Sequence, residues 1–353
     1  LTSRVHVIIA CHNPARPIGR AVDSIVNGNL KNVDLTVVSH NIAADRIRAE
    51  VSADSAAHVN FVEFHDGIRS ATGPFEHGMD MGDYEFVSIM GSDDWLEPGA
   101  VATWLRLADE QQADVVVTRL LRGGKVTPTP PVRPTLRGRA DPVKDRLSYR
   151  SAPLGLVSTA VRKRTGARLV SHPVGGDVPY VTQLWFESNV AVQRSGPGYV
   201  IGEDAEDRVT YVDRDIAIEL QFLETLINSS WFAHRSATER RAIVSKLIRI
   251  HLFGVLLNRP SAQWWTDEQR MALARITERL LSAAPGVADR LSIADNRVLE
   301  AIRSRSIPAE ELIDRAHARR RHGRPLTVLP ANPRYVLARE APLRFMAASL
   351  LVR

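Results

Sequence analysis

Two adjacent carboxylates, Asp93 and Asp94, follow directly on the apolar run Phe86-Val87-Ser88-Ile89-Met90 and the short link Gly91-Ser92. Side by side they repel each other, and each loses water where a site closes over it, so a pair at the end of a buried strand asks for a positive partner. Mg²⁺ or Mn²⁺ meets that need, because hard divalent cations take carboxylate oxygens, keep waters and accept further oxygens from phosphates. A turn, or a cap on the helix starting near Pro98, is the plainer alternative. Cys11 sits at another strand end with no partner base visible in the sequence, which argues against nucleophilic catalysis. His12, His65 and His172 lack the spacing of metal ligands and read as polar groups of the crevice or surface.

Alternating elements must position these groups. Val5–Ala10 reads as a buried parallel strand, Gly19–Val26 as a helix, Leu35–Val38 as a strand, Ile42–Ala56 as a polar helix and Val59–Phe64 as a strand. A short helix Phe75–Met81, a strand Glu85–Met90, a helix Ala100–Gln111 and a strand Asp114–Leu120 complete the series. This alternation predicts an α/β domain with a largely parallel sheet, which binds ligands just past the carboxyl ends of its strands. Four polar strand ends, Ala10–Asn13, Ser39–Asn41, His65–Gly67 and Gly91–Asp94, then line one crevice. The prolines of Thr127–Pro142 exclude helix and central strand there and leave a long loop. From Asp215 onward the periodicity is helical, over Ala217–Ile227, Glu239–Leu257, Glu268–Ala283, Ala294–Arg303 and Ala309–Arg321. Ser236 with Glu239 and Thr266 with Gln269 match the capping box, and Ile243, Leu247, Ile250 and Leu257 form an apolar face that packs within the domain. The boundary is set near residue 214, dividing a domain of 1–214 from an α-helical one of 215–353.

The 353 residues, 44% hydrophobic and 24% charged, suit a soluble protein with a sizeable core. The net charge of +6 concentrates in Arg133–Arg150 and Arg315–Arg324. A basic surface favours nucleotides, phosphate polymers or acidic lipid, although solubility alone explains the surplus as well. Nucleic acid is set aside, since no helix-turn-helix, zinc or aromatic–basic signature is present. With Cys11 as the one cysteine, neither a disulfide framework nor a structural zinc site can form within one chain. No signal-peptide pattern stands at the start, and no apolar run approaches the ~20 residues of a membrane span, so a cytoplasmic location is expected. Arg319–Arg324 and Leu343–Val352 are candidate contacts with the inner face of a membrane, and the helical faces are candidates for homo-oligomer formation.

Val7–Asn13, the helix Gly19–Ile25 ending in Asp23-Ser24-Ile25, and Met90-Gly91-Ser92-Asp93-Asp94-Trp95-Leu96-Glu97-Pro98 together resemble the inverting glycosyltransferases of family two, which have the GT-A fold, over about residues 5–215. The resemblance implies a nucleotide-diphospho-sugar donor, a UDP-sugar foremost, and an acceptor that is a glycan, a polyol-phosphate or a lipid-linked sugar of cell-surface synthesis. It implies donor contacts at Ala10, His12, Asn13, Asn41, Asp66, Ser92, Asp93 and Arg208, and a Mn²⁺ or Mg²⁺ cofactor held by Asp93 and Asp94. Asp177, in Gly175-Gly176-Asp177-Val178-Pro179, matches the family's general base, which takes the acceptor's proton; a helix cap is the structural alternative. Three departures stand out. Gly91 replaces the first Asp of the family's DxD motif, Gly176 replaces the Glu before the base, and Ser39-His40-Asn41 stands where the family's second strand ends in Asp-Asp-Gly-Ser. Asn41 can still offer an amide to a base edge, and Asp66 a carboxylate from the neighbouring strand end. Arg208, next to Asp207, suits a phosphate grip or an internal ion pair equally, while Trp95 and Trp185 read as core. A catalytically silent sugar-nucleotide-binding scaffold of the same fold is the competing reading.

Overall fold

The computed structural model describes residues 3–204, 214–304 and 306–351. Strands β1 (Val5–Cys11), β2 (Val33–His40), β3 (Val59–Phe64) and β4 (Phe86–Gly91) alternate with helices α1 (Ile18–Val26), α2 (Ala44–Arg48), α3 (Ala53–Ala56) and α4 (Thr72–Met79). The short β5 (Trp95–Leu96) leads to α5 (Ala100–Gln111), then β6 (Val115–Val117), β7 (Leu120–Arg122), β8 (Lys125–Thr127), β9 (Gly155–Ser158), α6 (Thr159–Thr165), α7 (Asp177–Glu187), β10 (Val190–Val192) and β11 (Tyr199–Ile201). A seven-stranded sheet has the order β10-β6-β9-β4-β1-β2-β3, parallel except for β9. A four-stranded sheet, β5-β11-β7-β8, lies beside it.

Pleating sorts the side chains of β1. Val5, Val7, Ile9 and Cys11 join α1 and α5 in one core, while Ile8 turns to the opposite core with Met79 of α4, Val161 of α6 and Tyr180, Val181, Leu184 and Trp185 of α7. Burial on both faces is why these strands read as β-branched runs. The order of strand addition reverses about β1, with β2 and β3 on one side and β4 on the other, all parallel to it. At such a switch a ligand is expected to bind beyond Cys11, His40 and Gly91.

Three expectations need amending. The polar helix is two pieces: the first ends at Arg48, and Ser52 caps the second by accepting from Ser55 N at 3.2 Å. The strand expected over Asp114–Leu120 divides between two sheets as β6 and β7. The arginines of residues 133–150 are not all surface charge: Arg146 and Arg150 are buried, and Arg133 is bidentate to the buried Asp145 at 2.8 Å on both arms. These bonds, with Arg150 donating to Thr129 O at 2.6 Å, tie down the proline-rich loop.

The C-terminal part is helical: α8 (Ile216–Glu219), α9 (Gln221–Ile227), α10 (Ser230–Ala233), α11 (Ala237–Lys246), α12 (Phe253–Asn258), α13 (Asp267–Ala283), α14 (Ile293–Arg303), α15 (Ala309–Ala318), α16 (Pro325–Val328) and α17 (Pro342–Leu351). The capping box of Ser236 and Glu239 forms. Thr266 accepts from Gln269 N, but the Gln269 side chain reaches away to Ile216 N at 2.8 Å. Between α11 and α12 the helix widens into a π turn, Leu247–Leu252. The widening rotates the apolar face, so Leu247 is buried while Ile250 is 47% exposed. Among the described residues no helix is long and apolar enough to cross a membrane.

His6, buried in β1, contacts Thr36 Oγ1 through Nε2 at 2.7 Å and stacks on Tyr84. Burial pushes its pKa down to about 4. The unfolded chain therefore takes up this proton from about pH 6.5 downward and the folded chain does not, so stability is full above that pH and falls as pH drops towards 4. The expected loss is about 3 kcal/mol over the window. His6→Gln, which cannot titrate, should lose less stability than wild type between pH 7 and 4.5 in urea unfolding.

Candidate active site

The ends of β1 and β4 are register neighbours, Ala10 opposite Gly91. After β4 the chain turns sharply, with Asp94 N donating to Gly91 O at 3.2 Å, and the two carboxylates part company. Asp94 points to β11, where the buried Tyr199 hydroxyl donates to its Oδ2 and Gly202 N donates to Oδ1 at 2.8 Å. Tyr199 also accepts from Gly91 N at 3.0 Å, and burial followed by the Asp94 charge drives its pKa well above the usual phenol value. Asp93 points to α1, and Arg16 Nη1 donates to its Oδ1 at 3.3 Å. Arg20, one turn on, donates to Asp93 O at 2.6 Å and to Asp204 at 2.8 and 2.9 Å, and lies 4.3 Å over the Trp95 ring. The positive partner that the sequence calls for is thus partly built in. Arg16 and Arg20 were missed in the sequence: Arg16 lies in the turn before α1 and Arg20 in its first turn, and no local pattern marks either as a partner of Asp93. Trp95 is half-buried beneath Arg20, whereas Trp185 is a core residue.

Gly91 is where the resemblance expects an acid, yet a Cβ there would stand 2.6 Å from Asp94 Oδ2 and 3.2 Å from Asp93 Oδ1. The volume is already filled by the two carboxylates that remain. Ser92 is buried, and its Oγ has no hydrogen-bond partner among the described residues.

Next to β1, the end of β2 forms a second group. Asn41 adopts φ 58°, and its Oδ1 accepts from Asp66 N at 3.1 Å and Gly67 N at 3.0 Å. That amide oxygen therefore shapes the turn at residues 66–68. Asp66 Oδ1 meets buried His40 Nε2 at 2.8 Å and accepts from Ile68 N at 2.9 Å. Burial works to raise the Asp66 pKa, but His40 and these donors outweigh it and hold the carboxyl below the usual range. In the β1 turn, Asn13 accepts from Ala15 N at 3.0 Å, and His12 is exposed.

Asp177 is the first residue of α7. Its neighbour Gly176 packs so tightly that a Cβ would fall 1.9 Å from Val170 O and 2.9 Å from Thr72 Cγ2. No glutamate fits at that position. The next residue of α4, Gly73, lies against Asp66 Oδ2, so the first turn of α4 touches both the Asp66 turn and the start of α7. Asp177 keeps part of its surface exposed. Protein packed about its carboxyl pushes the pKa up to about 6, while Lys246 and the N–H groups of its own helix end pull the other way. His172 bonds Thr225 at 2.9 Å and His65 bonds Glu63 at 3.2 Å. Arg208 lies outside the described residues.

Among the described residues no three His, Cys, Asp or Glu side chains cluster as a metal site. Asp93 and Asp94 suit an ion that draws most of its oxygens from a diphosphate and water, as Mg²⁺ and Mn²⁺ do, and not a zinc ion caged by protein.

Residues 6–165 match the family model described as Glycosyl transferase family 2. No curated protein sequence matches this one. Among solved structures the chain is similar to residues 1–349 of S. aureus TarS in complex with UDP-GlcNAc, at 12% identity and a TM-score of 0.70, covering 91% of this chain and 93% of that one. The UDP complex of the same protein aligns at 14% identity and a TM-score of 0.64, with the same coverage. Against the longer S. aureus TarS structure the identity is 12%, the TM-score 0.65, and the coverage 88% of this chain and 55% of that one. At such identities the likeness establishes the fold, a GT-A α/β domain followed by helices.

Proposed function

Since this chain belongs, through residues 6–165, to glycosyl transferase family 2, we propose that it moves a sugar from a nucleotide-diphospho-sugar to an acceptor hydroxyl with inversion at the anomeric carbon. The observation that carries the proposal is the pairing of strand-end acids with a half-buried acid at a helix start. Asp93 and Asp94 follow β4, and Asp177 opens α7, whose start packs on the first turn of α4.

The nucleotide lies across the ends of β1 and β2, against Ala10, His12 and Asn13 and the turn shaped by Asn41 and Asp66. Asp93 would hold Mn²⁺ or Mg²⁺, with Asp94 beside it braced by Tyr199 and Gly202. When bound, the ion offsets the negative charge that builds on the departing diphosphate. Ser92 offers its unpartnered hydroxyl, and Arg16 a cation, towards the same charge. Asp177 accepts the acceptor's proton as its oxygen attacks; as the carboxylate is the competent form, turnover should rise with pH through about 6. A UDP-sugar is the preferred donor, supported by the UDP and UDP-GlcNAc complexes of the similar fold. The acceptor is a cell-surface glycan, a polyol-phosphate or a lipid-linked sugar, met by a catalytic part of residues 1–214 with the helical part 215–353 alongside. Synthesis takes place on the cytoplasmic side, at or near the membrane's inner face.

Calorimetric titration with UDP, GDP, CDP and dTDP, with and without Mn²⁺, tests the proposal. One nucleotide, UDP by expectation, should bind only when Mn²⁺ is present. Binding of none would sink it. The silent-scaffold alternative draws on the closed positions at Gly91 and Gly176, and metal-dependent hydrolysis of the donor would eliminate it.

A further inference from the structure

A cavity opens at the sheet edge on the far side of β9 from the acids. Strand β9 is antiparallel to both β4 and β6, and β10 is parallel to β6, so β6 and β10 point the same way as β4. Thr118 and Gln193, which follow them, therefore stand at the edge that carries Gly91, with β9 between. Together with Arg119, Arg150 and Arg194 they line a cavity of about 800 Å³. Pro98, Pro128, Pro130, Pro197, Leu120 and Val132 give it apolar walls. Its size is that of a pocket for a small organic molecule, far more than a bare ion needs.

The polar groups of this cavity divide into those already engaged and those that are not. Gln193 Oε1 accepts from Trp104 Nε1 and Arg119 N at 3.0 Å and from Thr118 Oγ1 at 3.1 Å. Its Nε2 donates to Ser195 O at 3.0 Å and Pro197 O at 2.7 Å, so Gln193 builds the wall and has nothing left for a ligand. Arg119 faces Glu97 at 3.6 Å, and these two charges offset each other. Arg150 and Arg194 differ. Arg150 is 3% exposed and donates only to neutral carbonyls, Thr118 O at 2.6 Å and Thr129 O at 2.6 and 3.2 Å. Its Nη1 has no hydrogen-bond partner among the described residues. Arg194 is exposed and donates to Pro134 O at 3.0 Å. Among the described residues neither forms an ion pair.

A buried guanidinium without a counter-ion is costly, and an anion in the cavity relieves that cost. We propose that the cavity binds an organic phosphate monoester, its phosphate held by Arg150 and Arg194, as a site separate from the one at Asp93. The charge count selects the group. Two guanidinium charges stand uncompensated, and a phosphate monoester carries close to two negative charges at pH 7, whereas a carboxylate carries one. Burial pulls the Arg150 pKa down to about 9, which still leaves it charged at neutral pH. The apolar walls take the organic part of the ester. Leu351 of α17, 64% exposed, lines the same cavity, so that organic part can be a soluble polyol or the glycerol of a lipid.

Calorimetry without Mn²⁺ tests this with sn-glycerol 3-phosphate, and with glycerol as the uncharged control. Wild type and Asp93→Ala should bind the ester alike and should not bind glycerol. Arg150→Met should weaken the ester at least about 10-fold, and Arg194→Ala about 3- to 10-fold. Wild-type affinity should fall below about pH 6, where the ester loses its second charge. Sedimentation with phosphatidylcholine vesicles, plain or carrying phosphatidic acid, separates the two sources. Capture by phosphatidic acid that both arginine variants lose assigns a lipid head, and ester binding without capture assigns a soluble ester. Failure of wild type to bind either one overturns the proposal, as does unchanged affinity in both arginine variants. Loss of ester binding in Asp93→Ala alone also overturns it, by placing the phosphate in the donor site. Arg194 is at the surface, so if Arg150→Met does not fold, unchanged affinity in Arg194→Ala decides against the proposal by itself.

Discussion

Asp93→Ala should abolish manganese-dependent nucleotide binding, weakening it by at least about 10²-fold. The effect is large because the described residues contain no larger cluster of ligands to compensate. Asp94 is poorly placed to take over, since both its oxygens are engaged, by the Tyr199 hydroxyl and by Gly202 N. Arg16, which donates to Asp93 at 3.3 Å, keeps its charge in the variant, so a weak contribution to diphosphate binding that does not depend on metal should remain. Calorimetry with and without Mn²⁺ separates the two contributions. Asp94→Asn should behave differently: it weakens the brace to β11 and lowers the urea midpoint, with a smaller effect on the nucleotide. Equal metal dependence in wild type and Asp93→Ala would remove Asp93 from the metal site.

Asp177→Asn should lower turnover by about 10²–10⁴-fold and leave nucleotide affinity within about twofold. The substitution keeps the side chain's shape and its place at the start of α7 while removing the proton acceptor. A helix cap would give a different pattern, because asparagine caps about as well as aspartate and neither activity nor stability should then fall much. The contrast between turnover and affinity therefore decides between the two readings. Wild-type turnover should also decline as pH falls below about 6, where the carboxyl takes up its proton.

Much of the N-terminal half could be read from the chain because its strands are buried on both faces and its crossovers are local. Val59–Phe64 and Ala100–Gln111 are found at their expected bounds. The four-stranded sheet could not be read in that way. Its strands are two or three residues long, and β5 pairs with β11 about a hundred positions away, too little periodicity and too distant a partner for any local signal. The same division runs through the site. Asp93 and Asp94 stand out as candidates because acids closing an apolar run are conspicuous, whereas Asp177 comes forward only through the family resemblance. Arg16 and Arg20 could not, since an arginine near a helix start has many ordinary uses until its partner across the fold is known.

Helix α7 carries a consequence of another kind. Its Val178 belongs to the hydrophobic cluster of the C-terminal helices, while Tyr180, Val181, Leu184 and Trp185 belong to the cluster beneath the large sheet, and Phe186 packs against both. One helix thus supplies material to two cores, and neither core can come apart without baring the other. Such coupling turns two stacked parts into a single cooperative unit of unfolding. Heat or denaturant should dismantle the chain in one transition, and a cut near residue 214 would not release a catalytic half able to stand alone.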